Sequence, residues 1–240
     1  MIKPYKNSYK SKKEQVAFMF DNISSKYDFL NHLFSFGIDK IWRNKLINLL
    51  RKNNHKIVLD LATGTGDLAI KISKLKVKKI IGIDISKGML NFAEKKIKNK
   101  NLENIISFEL GDAEKIKFEN NYFDAITIAF GVRNFENLEI GLQEMFRVLK
   151  KNGKVFILEF SKAKKFPVKQ IYNFYFSKII PFLGKKISKD NSAYDYLYSS
   201  VEVFPEGNKF LEKLNDVGFK NCKQISLNFG IASIYVAEKF

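Results

Sequence analysis

The stretch Val58-Leu59-Asp60-Leu61-Ala62-Thr63-Gly64-Thr65-Gly66-Asp67 constrains this chain more than any other. It is an apolar run that ends in an acid and then breaks into a small, glycine-containing turn. Ile57 to Leu61 reads as a strand buried on both faces. Leu68-Ala69-Ile70-Lys71-Ile72 resumes with helix-compatible spacing, so the break is a strand-to-helix turn. Glycine in such a turn lets backbone N–H groups approach a ligand, and the helix that starts there aims its unpaired N–H groups at the same place. The expectation is a nucleotide-type site at the edge of an α/β sheet.

Charge discriminates between nucleotides. Gly64-x-Gly66-x-x-Ala69 fits a loose dinucleotide fingerprint, with Asp84 about 20 residues on as the ribose acid, which is the pattern of an NAD(P)-dependent oxidoreductase. Asp60 points the other way. A pyrophosphate gains nothing from a carboxylate before its loop, whereas a cationic ligand does, and S-adenosylmethionine carries a sulfonium and an α-ammonium and no phosphate. Lys79-Ile80-Ile81-Gly82-Ile83-Asp84 is a second strand ending in an acid. Ile105 to Leu110 is a third, delivering Gly111-Asp112-Ala113 to the same edge. Together the three acids make a methyltransferase pattern.

The formal net charge of +17 invites a nucleic-acid reading, but only four of the 42 basic residues are arginine (Arg43, Arg51, Arg133, Arg147). Base-edge and phosphate-fork recognition favours arginine, so no nucleic-acid partner is expected. The lysines read as solvated surface, with anionic lipid as the partner for the remainder. Cys222 is the only cysteine, which excludes an intrachain disulfide and a thiolate metal cluster. No signal core and no run of about 18 apolar residues is present, so the expected location is cytoplasmic, peripheral to the inner face of the cell membrane. Oligomeric state stays open, a homodimer included.

Two further stretches carry a resemblance. Phe20-Asp21-x-Ile23-x-x-x-Tyr27-Asp28-x-Leu30-Asn31 and Ser35-Phe36-Gly37-Ile38-Asp39-x-x-Trp42-Arg43 form the first. Ile128-Ala129-Phe130-Gly131-Val132-Arg133-Asn134, with Arg147-Val148-Leu149-Lys150-x-x-Gly153 and Leu158-Glu159-Phe160-Ser161, forms the second. Both resemble signatures of the quinone-biosynthesis C-methyltransferases, the demethylmenaquinone and polyprenyl-methoxybenzoquinol methylases. The likeness runs from about Val16 to the C-terminus. It implies C-methylation of a polyprenylated quinol by S-adenosylmethionine, with demethylmenaquinol preferred and the benzoquinol of the ubiquinone pathway as the alternative. It needs no metal, because the donor is already a cationic electrophile.

The rest of the pattern fits a Rossmann-like class I methyltransferase. Phe123 to Ala129 reads as strand four, Leu138 to Leu149 as a helix and Gly153 to Phe160 as strand five, a parallel, doubly wound alternation. Phe219 to Leu227 and Ile231 to Ala237 face each other across Asn228-Phe229-Gly230, closing a seven-stranded sheet with one reversed strand. Residues 1–13 read as a flexible leader and 14–240 as one domain. Within it, 14–53 forms a helical lid broken at Gly37, and 161–205 forms an aromatic helical insertion whose Tyr175 and Phe176 could line a channel for a prenyl tail.

Roles follow at residue level. Asp60 suits the methionine ammonium, Gly64 and Gly66 the close approach of the chain, and Asp84 the two ribose hydroxyls, since a carboxylate accepts two hydrogen bonds. Asp112 with the Ala113 N–H suits adenine, with Ile85 and Met89 on its faces, and Asp67 suits a helix cap. The resemblance places Thr65 among the cofactor contacts. Ala129 stands where relatives often carry serine, which leaves a backbone contact only. Ala62 stands where the family has glycine, and its methyl requires a negative φ. For the chemistry, Arg133 suits a developing oxyanion, Asn134 the orientation of a hydroxyl, and Asp28 with Tyr27 the lid side of the site, Asp28 as proton acceptor. Arg133 paired with a lid acid is the structural alternative. His55 falls at the wrong end of its strand, and His32 lies in the lid helix.

Overall fold

Short runs of Val, Ile and Leu with no polar face can only be strands covered on both sides, and a sheet of such strands needs helices above and below it. The computed structural model describes residues 2–5, 7–35, 37–163, 166–167, 169–170 and 191–240, with the backbone alone for residues 30–34, 191 and 194. The first strands are β1 (Ile57–Leu61), β2 (Lys79–Asp84) and β3 (Ile106–Leu110); β4 (Phe123–Ala129) and β5 (Leu149–Phe160) follow, then β6 (Lys220–Leu227) and β7 (Ala232–Glu238). Among the described residues these seven strands form one sheet in the order β3-β2-β1-β4-β5-β7-β6. Only β7 runs against its neighbours, pairing antiparallel with both β5 and β6. This is the sheet expected from the sequence.

Side-chain alternation divides the core in two. Leu59, Leu61, Ile81, Ile83, Ile126 and Ile128 pack on one face with α5 (Leu138–Val148) and α7 (Asn208–Val217). Val58, Ile80, Ala125, Phe156 and Leu158 pack on the other with α2 (Ile38–Leu50) and α3 (Asp67–Ile72). Strand order reverses between β1 and β4. There β1 continues outward through β2 to β3, and β4 continues the other way through β5, which opens a crevice beyond their carboxyl ends.

The lid is α1 (Lys12–Phe34) and α2, with Gly37 at φ +72 between them. α1 lies against α4 (Lys87–Lys98) and buries Val16, Met19 and Ile23 around Met89. Asp21 seals that contact by accepting the Ser86 hydroxyl at 2.6 Å and the Gly88 N–H at 2.8 Å. Ser86 meanwhile caps α4, accepting the Met89 N–H. The lid starts earlier than residue 14. Helix begins at Lys12, Pro4 is buried, and the Tyr5 N–H donates to Gln15 at 2.9 Å. In the expected insertion, α6 (Asn191–Val203) is described and packs on the turn 132–134. The tail-channel residues Tyr175 and Phe176 lie outside the described residues, as does the His32 side chain.

Candidate active site

At the carboxyl end of β1 the chain turns sharply. Ala62, Gly64 and Gly66 all have positive φ, at +53, +57 and +78. For the two glycines this is free; for Ala62 it corrects the expectation of a negative φ and costs on the order of 1 kcal/mol. Its methyl is accommodated from across the crevice. A Cβ at Gly131 would stand 2.5 Å from the Ala62 Cβ, so the missing side chain at 131 makes the room. Phe130, next to it, is also left-handed at φ +62. Strain of this kind on both strands of the crevice marks the place where the fold departs from its own preferences.

Two carboxylates stand at this rim. Asp60 is buried and takes the hydroxyls of Thr63 at 2.6 Å and Thr127 at 2.7 Å. Asp84 is buried and takes the N–H groups of Gly64 at 2.7 Å and Ser86 at 2.9 Å. All four donors are neutral, and among the described residues neither acid forms an ion pair. Burial therefore wins over hydrogen bonding and pushes each carboxyl up to about 6. Two buried acids without an ion-pair partner among the described residues, with only the Arg43 charge acting on Asp60 from beyond ion-pair distance, have room for a ligand bearing positive charge and hydroxyl donors.

Asp84 borders a cleft of about 700 Å³, its open mouth included, lined also by Tyr27, Ala62, Gly64, Ile85, Met89, Asp112, Ala113, Ala129, Gly131 and Asn134. A smaller polar lobe of about 360 Å³ adjoins it, sharing Tyr27, Ala62, Gly64 and Ala129 and adding Asp28, Arg43, Asp60, Thr65 and Asp67. Most of the sequence-derived residues thus meet at one place. Ile85, Met89 and Ala113 supply apolar walls. Asp112 accepts the Glu114 N–H at 2.9 Å and pairs with Lys13 from the lid.

Other residues are engaged differently from the expectation. Asp67 is the first residue of α3 and not its cap, which is Gly66; its carboxylate pairs with Lys96 at 2.7 Å. The Thr65 hydroxyl donates to Asp28 at 2.5 Å, and Lys96 donates to Thr65 at 2.9 Å and pairs with Asp28 at 2.5 Å. These contacts bolt the lid to the turn. Asn134 lines the cleft with its Oδ1 buried and without a hydrogen-bond partner. Arg133 turns away from it. Its guanidinium is buried, pairs with Glu159 on β5 at 2.7 Å and donates to the Phe130 carbonyl at 2.6 Å and Ser200 at 3.2 Å. The paired acid is a strand residue and not one of the lid. His55 sits, buried, at the amino end of β1, away from the cleft.

Sequence reasoning assigned nothing to Glu159, Lys13, Lys96 or Arg43. For Glu159 a signal existed, because an acid inside the apolar strand Val155–Phe160 must find a cation if it is buried. Lys13 and Lys96 are two among many lysines, and no local pattern distinguishes them.

The sheet order with its reversed β7, and the acids at the carboxyl rim, define the Rossmann-like methyltransferase class. A solved SAM-dependent methyltransferase from Thermotoga maritima superposes with a TM-score of 0.65 at 17% identity, over 93% of this chain and 99% of that one. The model of the ubiE/COQ5 methyltransferase family matches residues 8–239, and the chain belongs to that family. A demethylmenaquinone methyltransferase of Bacteroides fragilis is 48% identical over 239 residues, 99% of this chain and 97% of that protein. A ubiquinone/menaquinone biosynthesis C-methyltransferase UbiE of Geotalea uraniireducens is 42% identical over 95% of this chain and 97% of its own length.

Proposed function

We propose that this methyltransferase transfers the methyl group of S-adenosylmethionine to a ring carbon of a polyprenylated naphthoquinol, converting demethylmenaquinol to menaquinol: the methyl–sulfur bond breaks to leave S-adenosylhomocysteine, and the displaced ring hydrogen departs as a proton to water. The observation that carries the reading is the pair of buried acids at the switch point, each raised to about 6 and each hydrogen-bonded only by neutral groups. That arrangement fits a cation-bearing nucleoside. Asp60 would hold the ammonium, Asp84 the ribose hydroxyls, Asp112 and the Ala113 N–H the adenine, and Gly64, Thr65, Gly66 and Ala129 the approach of the ligand. S-adenosylmethionine supplies an electrophilic methyl group bound to a sulfonium.

The chain's own task is alignment and control of phenolic charge, because carbon is a poor nucleophile until the quinol hydroxyl gives up electron density to the ring. Asn134 serves this by accepting the quinol hydroxyl at its unpartnered Oδ1. Arg133 acts through the turn Val132–Asn134, which its bonds to Glu159 and Phe130 hold in place. Asp28, engaged by Thr65 and Lys96, keeps the lid closed over the turn, with Tyr27 facing both lobes.

The product is lipophilic, and no described helix is long and apolar enough to cross a membrane. Exposed Phe18 and Phe29 on α1, with Lys10 over the Phe18 ring, support contact with an anionic lipid surface. The test is label transfer from methyl-labelled S-adenosylmethionine to reduced demethylmenaquinol and, in parallel, to the polyprenyl-methoxybenzoquinol. Carbon-bound label in the naphthoquinol is expected. Label in the benzoquinol alone moves the assignment to the ubiquinone pathway, and label in neither refutes it.

A further inference from the structure

The polar lobe contains one more charged group, and it has the opposite sign. Arg43 on α2 lines that lobe with Asp60, although its side chain is only 9% exposed. The guanidinium lies 5.4 Å from the centre of the Phe130 ring. One terminal nitrogen is taken by Asp39, whose other oxygen accepts the Ser35 hydroxyl at 2.7 Å. Its Nε is buried with no hydrogen-bond partner. An ion pair meant only to fasten α2 has no need of a wall of the cleft, and a planar fork with an unspent donor is the group best shaped for a carboxylate.

Opposite charges facing one small lobe match a zwitterion. We propose that Arg43 binds the α-carboxylate of the methionine moiety, so that Asp60 and Arg43 together read the amino-acid end of the methyl donor. The larger cleft keeps the nucleoside. This rests on the reading of the cleft as an S-adenosylmethionine site and adds a residue to it. It also gives the lid a direct part in cofactor selection, since Arg43 reaches the lobe from α2 and not from the sheet. With the ligand bound, the Arg43 guanidinium would lie between two carboxylates, that of Asp39 and that of the methionine moiety.

Calorimetry with three ligands tests it. S-adenosylhomocysteine has both charged groups, S-adenosyl-3-thiopropylamine lacks only the carboxylate, and 5′-methylthioadenosine lacks the amino-acid end. The unaltered protein is expected to bind the thiopropylamine roughly 10- to 100-fold more weakly than S-adenosylhomocysteine, the loss of a charged hydrogen-bonded pair. In R43Q that difference disappears, while affinity for methylthioadenosine stays the same. If R43Q keeps the full discrimination, Arg43 is not the reader. If R43Q does not fold, the Nε–H resonance of Arg43, one of four arginines, decides the matter in the unaltered protein. It should shift with S-adenosylhomocysteine and not with the thiopropylamine; identical responses to both overturn the proposal. Failure of the unaltered protein to bind S-adenosylhomocysteine at all would instead strike the proposed function.

Discussion

The two rims of the sheet both carry aspartates, and they are treated in opposite ways. At the amino rim Asp124, at the start of β4, takes the N–H groups of Lys56 and Ile57 at 2.8 and 2.7 Å and pairs with Lys150 at 2.7 Å. Those bonds outweigh its partial burial and hold its carboxyl below the usual range. At the carboxyl rim Asp60 and Asp84 are buried, meet neutral donors only, and are pushed up to about 6. The first acid is satisfied by the protein itself. The other two have no cation at ion-pair distance among the described residues, which is the difference expected between a structural carboxylate and one proposed to meet a cationic ligand.

The sharpest way to break this contrast is to neutralise the carboxyl rim. Asp60→Asn or Asp84→Asn is expected to lower affinity for S-adenosylhomocysteine by roughly 100-fold if, as proposed, each acid faces a charged or doubly donating part of the ligand. The unliganded protein should become more stable at pH 7.5 by on the order of 2 kcal/mol per site, because a buried charge is gone. Calorimetry and thermal melting check both signs together. A variant that loses stability and keeps its affinity would place these acids with Asp124.

The buried pair of Arg133 and Glu159 stands between the two cases, compensated but at the functional rim. Arg133→Met alone is expected to cost about 3 kcal/mol in urea unfolding, because it strands the Glu159 charge, and the double change Arg133→Met with Glu159→Met should recover most of it. Methyl transfer should stay low in the double variant while S-adenosylhomocysteine still binds. Restored turnover would reduce the pair to packing.

Acid sharpens the comparison without mutation. The raised carboxyls contribute stability that is complete below the ordinary value of 3.8 and is lost as pH rises through about 6. Ligand affinity runs the other way, falling up to about a hundredfold per pH unit below pH 6 when Asp60 and Asp84 both take up a proton. An affinity flat from pH 5 to pH 7.5 contradicts this. The smallest effect belongs to the amino rim, where Asp124→Asn should cost about 1 kcal/mol and leave S-adenosylhomocysteine affinity within about twofold.

Much of this was legible in the residues because it is local. The spans of β1, β2 and β4 are those read from apolar runs and turn residues, and the rim acids follow from the strand ends. β5 begins at Leu149 and not Gly153, because Leu149 pairs with Phe123 and the register shifts before Ala125 meets Lys154. No local pattern shows such an irregularity. The lid's attachments were equally hidden, since Asp21 meets Ser86 across 65 residues and Lys13 meets Asp112 across 99. The motif places Arg133 next to the cleft residue Asn134, but the direction its side chain takes depends on Glu159, 26 residues further on.

The left-handed Ala62 opposite Gly131 has a consequence for how this turn can change over time. A side chain at 131 collides with the methyl at 62, so Gly131→Ala should be disabling in this background and tolerated once Ala62→Gly has occurred. The two positions form a ratchet in which the order of substitution, more than the identity of either residue, decides which descendants of this sequence still fold.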